Sequence, residues 1–332
     1  MKNITVLGAG AWGTAFGQVA ADAGNNVTMW AIEPEIVEGI RDHHRNEVRL
    51  PSVDCLPDNM TATGDRQDAV KNADIIVVAI AAQFARVALE EFKDLIPQNA
   101  IVVSLMKGIE KTTGKRMDEA VREALELPAE RFAAISGPNL SKQVADRQPA
   151  AAVVACENID NARIVAQACS NKYFQLYIST DVIGVELCGS LKNVIALAVG
   201  MARGAGYAEN TAAMIQTRGL AELTALGAAA GADPKTFAGL AGVGDLIATC
   251  GSPLSRNYTF GANLGKGLSV EEATAASNGV AEGVPTTQAV VDMGKKLGVA
   301  TPLAVAMSHV LHDGITCDMM LSELFDGNIS EE

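Results

Sequence analysis

The chain has 332 residues, 48% of them hydrophobic and 20% charged, with a formal net charge of −13. At about 150 residues per domain this length predicts two domains, with apolar content enough for two cores. The acidic balance, without a basic run, argues against a nucleic-acid or anionic-membrane surface, and no uncharged apolar stretch reaches the ~18–20 residues of a membrane span.

The first stretch to carry a pattern is Ile4–Thr14, ITVLGAGAWGT. Ile4, Val6 and Leu7 form the short apolar run of a strand buried on both faces. Gly8, Gly10 and Gly13 then fall at the G-x-G-x-x-G spacing, and a helical pattern follows them. Gly8 permits the tight turn, Gly10 lets a pyrophosphate approach the backbone, and Gly13 lets the helix close on the strand. Ala11 and Trp12 lie inside that turn, where free N–H groups and the helix dipole make an anion site. Strand before and helix after mark a dinucleotide site. A strand that begins by residue 4 leaves no room for a signal peptide, so a cytoplasmic protein is expected.

Strand and helix then alternate. A helix is predicted over Trp12–Asn25 with Gly24 as its stop, a strand over Val27–Ala31, and a helix over Pro34–His44. Thr61–Thr63 reads as a short strand, the apolar run between Asp74 and Ile80 as a buried one, and Phe84–Leu95 as a helix. Ile101–Leu105 is a strand running into Met106-Lys107-Gly108, and Gly114–Leu125 a helix. Phe132–Ser136 is a strand running into Gly137-Pro138-Asn139. Strand Ala151–Ala155, helix Asp160–Ser170 and strand Phe174–Ile178 finish the series. The pattern predicts an α/β Rossmann domain with a mostly parallel sheet over residues 1–180. Ligands bind such sheets at the carboxyl ends of the strands, which places Gly8–Gly13, Lys107 and Gly137–Asn139 along one crevice.

From about Thr180 the grammar changes. Val182–Met201, Thr211–Ala230, Glu282–Leu297, Pro302–His312 and Ile315–Phe325 all read as helices, so residues 181–332 are predicted to form an all-α domain. The helix through Val185–Gly200 is apolar nearly all round, yet carries Lys192 with Asn193 beside it. A lysine there either snorkels to the surface or is a desolvated amine of lowered pKa, able to act as general acid or base. Asp245 follows a glycine-rich run, and by itself an acid there is more often a helix N-cap than a catalyst. Ser255-Arg256-Asn257 offers a hydroxyl, a guanidinium and an amide at a loop–helix junction; arginine's planar fork suits phosphate, while an isolated Arg is normally a surface charge. Glu282 lies in the turn Asn278–Gly283, where it reads as a cap of the next helix. The six cysteines are scattered singly and read as small buried hydrophobes. His309 and His312 lie one turn apart, but no carboxylate sits at a matching offset, so no metal is predicted.

GAGAWGT at 8–14, MKG at 106–108, SGPN at 136–139, IGVELCGSLKNVIA at 183–196, TRGLAE at 217–222, GVGDL at 242–246, SRN at 255–257 and VAEG at 280–283 occur in this order. The series resembles the bacterial NAD(P)-dependent glycerol-3-phosphate dehydrogenases over nearly the whole chain. The resemblance implies a Rossmann domain followed by an all-α domain, and interconversion of dihydroxyacetone phosphate with sn-glycerol 3-phosphate to supply the glycerophospholipid backbone. It implies NAD or NADP as coenzyme, a small-molecule substrate, no metal, and a homodimer. Lys192 maps to the reactive lysine. Lys107, Gly137, Asn139, Asn193, Asp245, Ser255, Arg256 and Asn257 map to substrate contacts, and Trp12, Lys107, Ser141, Arg256, Val280 and Glu282 to coenzyme contacts. Many members have a hydroxylic residue where this chain has Asn139 and an alanine where it has Ser141.

Hydride transfer to a ketone leaves an alkoxide that needs a proton and a nearby positive charge, which Lys107 and Lys192 would supply. Asp245 would orient Lys192 or a substrate hydroxyl, and Arg256 and Asn257 would hold the phosphate. Two other classes fit part of the pattern. A two-domain β-hydroxy-acid dehydrogenase would need a carboxylate anchor and would leave the SRN loop idle. A non-catalytic dinucleotide-binding protein would leave Lys192 unexplained. On coenzyme choice the chain departs from many relatives, which carry Arg or His where Ile32 stands. Glu33 then either places an acid beside the adenosine ribose or merely begins the helix at Pro34, where an acid suits the dipole, and Arg45 or Arg49 can fold back as the cation. NADH is expected to serve at least as well as NADPH.

Overall fold

The computed structural model describes residues 1–277 and 281–324. Eight strands form one sheet: β1 (Asn3–Leu7), β2 (Asn26–Trp30), β3 (Met60–Thr63), β4 (Ile75–Val78), β5 (Ile101–Ser104), β6 (Phe132–Ser136), β7 (Ala150–Cys156) and β8 (Phe174–Ser179). Their order is β3-β2-β1-β4-β5-β6-β7-β8, parallel throughout except for the antiparallel pair β6–β7. β4, β5 and β6 are buried at every position. That is why their sequences are apolar runs and not alternations. The helices of this half are α1 (Ala11–Asp22), α2 (Pro34–His43), α3 (Arg66–Val70), α4 (Ala82–Glu90), α5 (Met117–Leu125), α6 (Ser141–Ala145) and α7 (Ile159–Cys169). The sheet order reverses at β1, whose neighbours are β2 on one side and β4 on the other. The carboxyl ends of β1 and β4 flank that reversal, the position at which doubly wound sheets take ligands.

The second half is helical among the described residues: α8 (Val182–Gly204), α9 (Glu209–Ala229), α10 (Pro234–Phe237), α11 (Asp245–Cys250), α12 (Arg256–Gly265), α13 (Val270–Ala275), α14 (Gly283–Leu297), α15 (Pro302–Asp313) and α16 (Cys317–Leu324). The chain thus combines a Rossmann-type sheet with an all-α half. It divides into two compact units, residues 1–110 with 115–186, and residues 111–114 with 187 onward. α8 is long and apolar enough to cross a membrane, but 94% of its most apolar window is buried in protein. It is a core helix.

Several boundaries depart from the sequence reading for local reasons. α5 starts at Met117, not Gly114, because an antiparallel bridge between Ile109 and Arg116 holds the intervening residues as a turn. α4 spans Ala82–Glu90 and gives way to successive turns before Leu95. α16 begins at Cys317, two residues past the Ile315 expected, since Gly314 ends α15 in the left-handed conformation; Phe325 lies outside the described residues. α3, α6, α10 and α13 were not anticipated. Each is 4–6 residues long, too short to show a periodic face. Side-chain caps from Asp65, Asp233 and Ser269 start three of them.

α8 and α12 cross backbone to backbone. Gly200 and Gly204 of α8 face α12, Gly261 and Gly265 of α12 face α8, and a Cβ on any of the four would strike the other helix's main chain. This crossing carries α8, with Lys192, past the start of α12, with Ser255–Asn257.

Candidate active site

The turn after β1 has the geometry of an anion cradle. Gly8 sits at φ +108°, which a side chain disfavours, and donates its N–H to Trp30 O at 3.0 Å. A Cβ on Gly13 would come 2.9 Å from Ala79 Cβ, so α1 closes against the end of β4 only with glycine there. Nothing lies within 4 Å of where a Cβ on Gly10 would stand. No side chain caps α1 and no acid stands in its first turn, so its leading N–H groups face an approaching anion. The turn is tied down from behind: the Asn46 amide donates to Ala9 O at 2.9 Å and to Thr14 Oγ1 at 2.8 Å. Ala11 and Trp12 are half-buried at the helix start. These residues fit a dinucleotide.

At the end of β2, Ile32 is 73% exposed and Glu33 occupies the N-cap position of α2 without a capping hydrogen bond. Glu33 instead pairs with Arg49, Nη2 to Oε1 at 3.2 Å. Of the two arginines weighed as substitutes for the missing cation, Arg49 is the one brought to Glu33. Arg45 turns to Asp54 O and Glu47.

Farther along the same edge, Lys107 follows β5 and donates from Nζ to Gly137 O, after β6, at 3.0 Å. Lys107 is the one half-exposed residue in the otherwise buried run Ile101–Glu110. Beside it, both polar atoms of the Asn139 carboxamide and the Ser136 hydroxyl are buried with no hydrogen-bond partner among the described residues. Buried polar groups are nearly always satisfied, so such a cluster at a sheet's ligand edge fits a polar ligand. Ser141 opens α6, half-buried.

In the helical unit, Lys192 is 5% exposed and does not snorkel. Its Nζ lies 3.0 Å from Asp245 Oδ1 and also donates to Thr249 Oγ1. The Thr249 hydroxyl in turn reaches Asp245 Oδ1 at 3.2 Å. Asp245 is not an N-cap: Gly244 holds that position and Asp245 is the first residue of α11, so Thr249 stands one turn on along the same face. Cys250 adjoins this cluster, its thiol pushed up to about 12 by burial and so kept neutral. Asn193 accepts from the Asn257 amide at 2.9 Å, and Asn257 Oδ1 accepts from Gly283 N at 2.8 Å. The Asn257 carboxamide is therefore a tether joining α8, α12 and the start of α14. Ser255 caps α12 by accepting from Tyr258 N at 3.3 Å, and Arg256, the first residue of that helix, is exposed. Glu282 holds the N-cap position of α14 without a capping bond. Val280 lies outside the described residues. His309 pairs with Glu323 at 3.0 Å, and no group of three potential metal ligands occurs among the described residues.

A family model described as the NAD-dependent glycerol-3-phosphate dehydrogenase N-terminus matches residues 3–162, and the corresponding C-terminus model matches residues 181–322. The chain belongs to the NAD-dependent glycerol-3-phosphate dehydrogenase family. It is 78% identical over 331 residues to a glycerol-3-phosphate dehydrogenase [NAD(P)+] of Bifidobacterium longum, covering 100% of this chain and 99% of that relative. A namesake from Corynebacterium kroppenstedtii is 48% identical over 333 residues, with both chains covered in full. The crystal structure of glycerol-3-phosphate dehydrogenase from Coxiella burnetii superposes with a TM-score of 0.91 at 31% identity, covering 98% of this chain and 99% of that one. Membership makes the chain an NAD(P)-dependent oxidoreductase.

Within this dehydrogenase, sequence reasoning missed Thr249, Asn46 and Ser136. Thr249 had a signal, its i+4 offset from Asp245 on a helix. Asn46 had none, because its partners Ala9 and Thr14 lie more than 30 residues away.

Proposed function

We propose that the chain reduces dihydroxyacetone phosphate reversibly to sn-glycerol 3-phosphate, and so supplies the glycerophospholipid backbone. The observation that carries this reading, beyond family membership, is the buried Lys192–Asp245 pair with its 3.0 Å contact. When bound, the reduced dinucleotide supplies the hydride. The residues of the chain do the rest. Lys192 Nζ holds the proton that the carbonyl oxygen takes as it becomes an alcohol. Asp245 and Thr249 fix the direction of that amine, since both accept from it and the Thr249 hydroxyl donates on to Asp245. A carboxylate and a hydroxyl in place of water hold the donor without reorganisation at the moment of transfer. Lys107, with Asn139 and Ser136 beside it, is assigned to the substrate's polar groups, and exposed Arg256 to its phosphate, where a guanidinium makes two parallel hydrogen bonds. Asn257 supports that phosphate site from behind through its tether to Asn193 and Gly283.

The test is turnover followed at the reduced-nicotinamide absorbance band. Lys192→Ala is expected to lower kcat by at least ~100-fold, the low end of general-acid contributions, with coenzyme binding little changed. Near-normal turnover would move the proton-donor role away from Lys192. Unphosphorylated dihydroxyacetone is expected to be a very poor substrate, because each lost charge-assisted bond removes ~1.5–3 kcal/mol. Comparable specificity constants for the two ketones would remove the phosphate anchor from the assignment.

A further inference from the structure

Lys107 stands on a short segment that is anchored at both ends. On the near side, Leu105 N donates to Val78 O at 2.9 Å and Met106 N to Ser104 Oγ at 3.2 Å, which continues the sheet. On the far side the anchors are side chains of α4. Gln83 Nε2 donates to Ile109 O at 2.8 Å, and Arg86 grips Glu110 with two parallel bonds, Nε to Oε1 at 2.8 Å and Nη2 to Oε2 at 2.9 Å. Gln83 and Arg86 are three residues apart, so they share one face of α4. Glu110 is 5% exposed, and its own N–H donates to Lys115 O at 2.9 Å. Arg86 reaches on to Glu123 at 3.0 Å, and Lys115 meets the same carboxylate from the solvent side.

A bidentate guanidinium–carboxylate pair is the most direction-specific ion pair a protein makes. An ion pair whose carboxylate is buried, as that of Glu110 is, gives little net stability relative to apolar residues, so its worth lies in position. Here the reason is on the same stretch of chain: Glu110 lies three residues from Lys107, and both its carboxylate oxygens are held by Arg86. We propose that the Arg86–Glu110 pair, with Gln83, is a clamp of positioning residues that sets where Lys107 Nζ points. The proposal rests on the assignment of Lys107 to the substrate. Neither Arg86 nor Glu110 touches the reacting atoms; they act through the 107–110 segment.

The experiment compares Glu110→Gln and Arg86→Lys with a control, Glu123→Gln, which removes the exposed arm of the network and leaves the bidentate grip. Misplacing a substrate-positioning group by about 1 Å costs up to ~100-fold in rate. Glu110→Gln is expected to lower kcat tenfold or more, with KM for dihydroxyacetone phosphate moved less than kcat and the Kd for NADH within twofold. Arg86→Lys, which keeps the charge and loses the fork, is expected to fall between Glu110→Gln and the parent chain. Glu123→Gln is expected to keep kcat within twofold. Hydrogen exchange of the 105–110 amides should quicken in the two clamp variants and not in the control. If Glu110→Gln does not yield folded protein, Gln83→Ala takes its place under the same criteria. A lowered melting temperature with kcat within twofold of the parent, measured well below that temperature, would make the pair purely structural and overturn the clamp. Absent turnover by the unmodified chain would instead overturn the functional reading itself.

Discussion

Lys192 lies in a helix that is apolar nearly all round and buried, and the burial of its amine has to be compensated by partners. Asp245 and Thr249 provide that compensation, so removing one of them exposes the cost. Asp245→Asn leaves a buried ammonium without its counter-charge and is expected to destabilise the protein by roughly 3–5 kcal/mol. Urea midpoints of the two proteins check this, and a change under about 1 kcal/mol would mean that other groups balance the charge. The Glu33–Arg49 pair differs in kind. It is solvent-exposed, with side chains 34% and 50% accessible, so it contributes at most about 1 kcal/mol to stability and is free to rearrange. With NAD, Glu33 is the natural acceptor for a ribose hydroxyl. With NADP, Arg49 is the nearby cation able to leave Glu33 for the 2′-phosphate. Arg49→Ala is therefore expected to weaken NADPH binding at least fivefold more than NADH binding, and NADH should serve the unaltered chain at least as well as NADPH. Fluorescence titration with each coenzyme reads the first, and steady-state rates read the second. A tenfold preference for NADPH, about 1.4 kcal/mol in the opposite direction, would mean that Glu33 does not govern the choice.

At the scale of elements, two junctions are set by a few residues each. The α8–α12 crossing depends on four glycines, and the atoms that a Cβ would meet are backbone, which cannot swing aside. Gly261→Ala is expected to cost ~1–3 kcal/mol from overpacking, and to lower kcat as well, since the crossing carries Lys192 past Ser255–Asn257. Unchanged melting and rate would show that the helices can separate freely. The second junction is the start of α15. Pro302 has no N–H and Thr301 makes no capping bond, so the first donors are Leu303 and Ala304. Glu222 of α9 accepts from both, at 2.8 and 3.3 Å, which gives the last residue of the TRGLAE motif a structural role. Burial pushes its carboxyl from 4.5 up to about 7, against the two N–H bonds that favour the charge. A raised acid contributes stability that is present below its ordinary value and is lost as pH climbs to about 7, here on the order of 3 kcal/mol. Glu222→Gln keeps an acceptor for the N–H groups and never ionises. It is expected to raise the melting temperature at pH 8 and to leave it unchanged near pH 5. Destabilisation at pH 8 would show that the helix terminus outweighs the burial cost.

For the whole molecule, what the sequence made legible and what it did not follow from range. The strands were legible because β4, β5 and β6 are buried on both faces, and full burial writes an unbroken apolar run. Lys192 was legible as a charge out of place in such a run. Thr249, 57 residues from Lys192, was not, nor was the grip of Arg86 on Glu110 at a separation of 24, since a polar pair leaves no periodic trace. α10 and α13 leave no pattern in the sequence because their 4 and 6 residues start on side-chain caps from Asp233 and Ser269 and are too short for a periodic face. Charge is the property that sequence states for the molecule as a whole, and it sets up a conflict. A net −13 repels a triose phosphate dianion at long range, while Arg256 and Lys107 are assigned to attract it on contact. Salt weakens the two forces at different distances. Near 0.01 M the Debye length is about 30 Å and the whole surface is felt; at 0.15 M it is about 8 Å and only local charges remain. Adding salt over that interval therefore removes repulsion before it removes the contacts. Accordingly, kcat/KM for dihydroxyacetone phosphate is expected to rise between 0.01 and 0.15 M, then to fall as the direct phosphate contacts are screened in turn. Neutral dihydroxyacetone, assayed at the higher concentrations it needs, should show neither limb. A decline that begins at the lowest salt would mean that the cations near the phosphate dominate the field even at long range, and that the overall charge of the chain has no part in substrate capture.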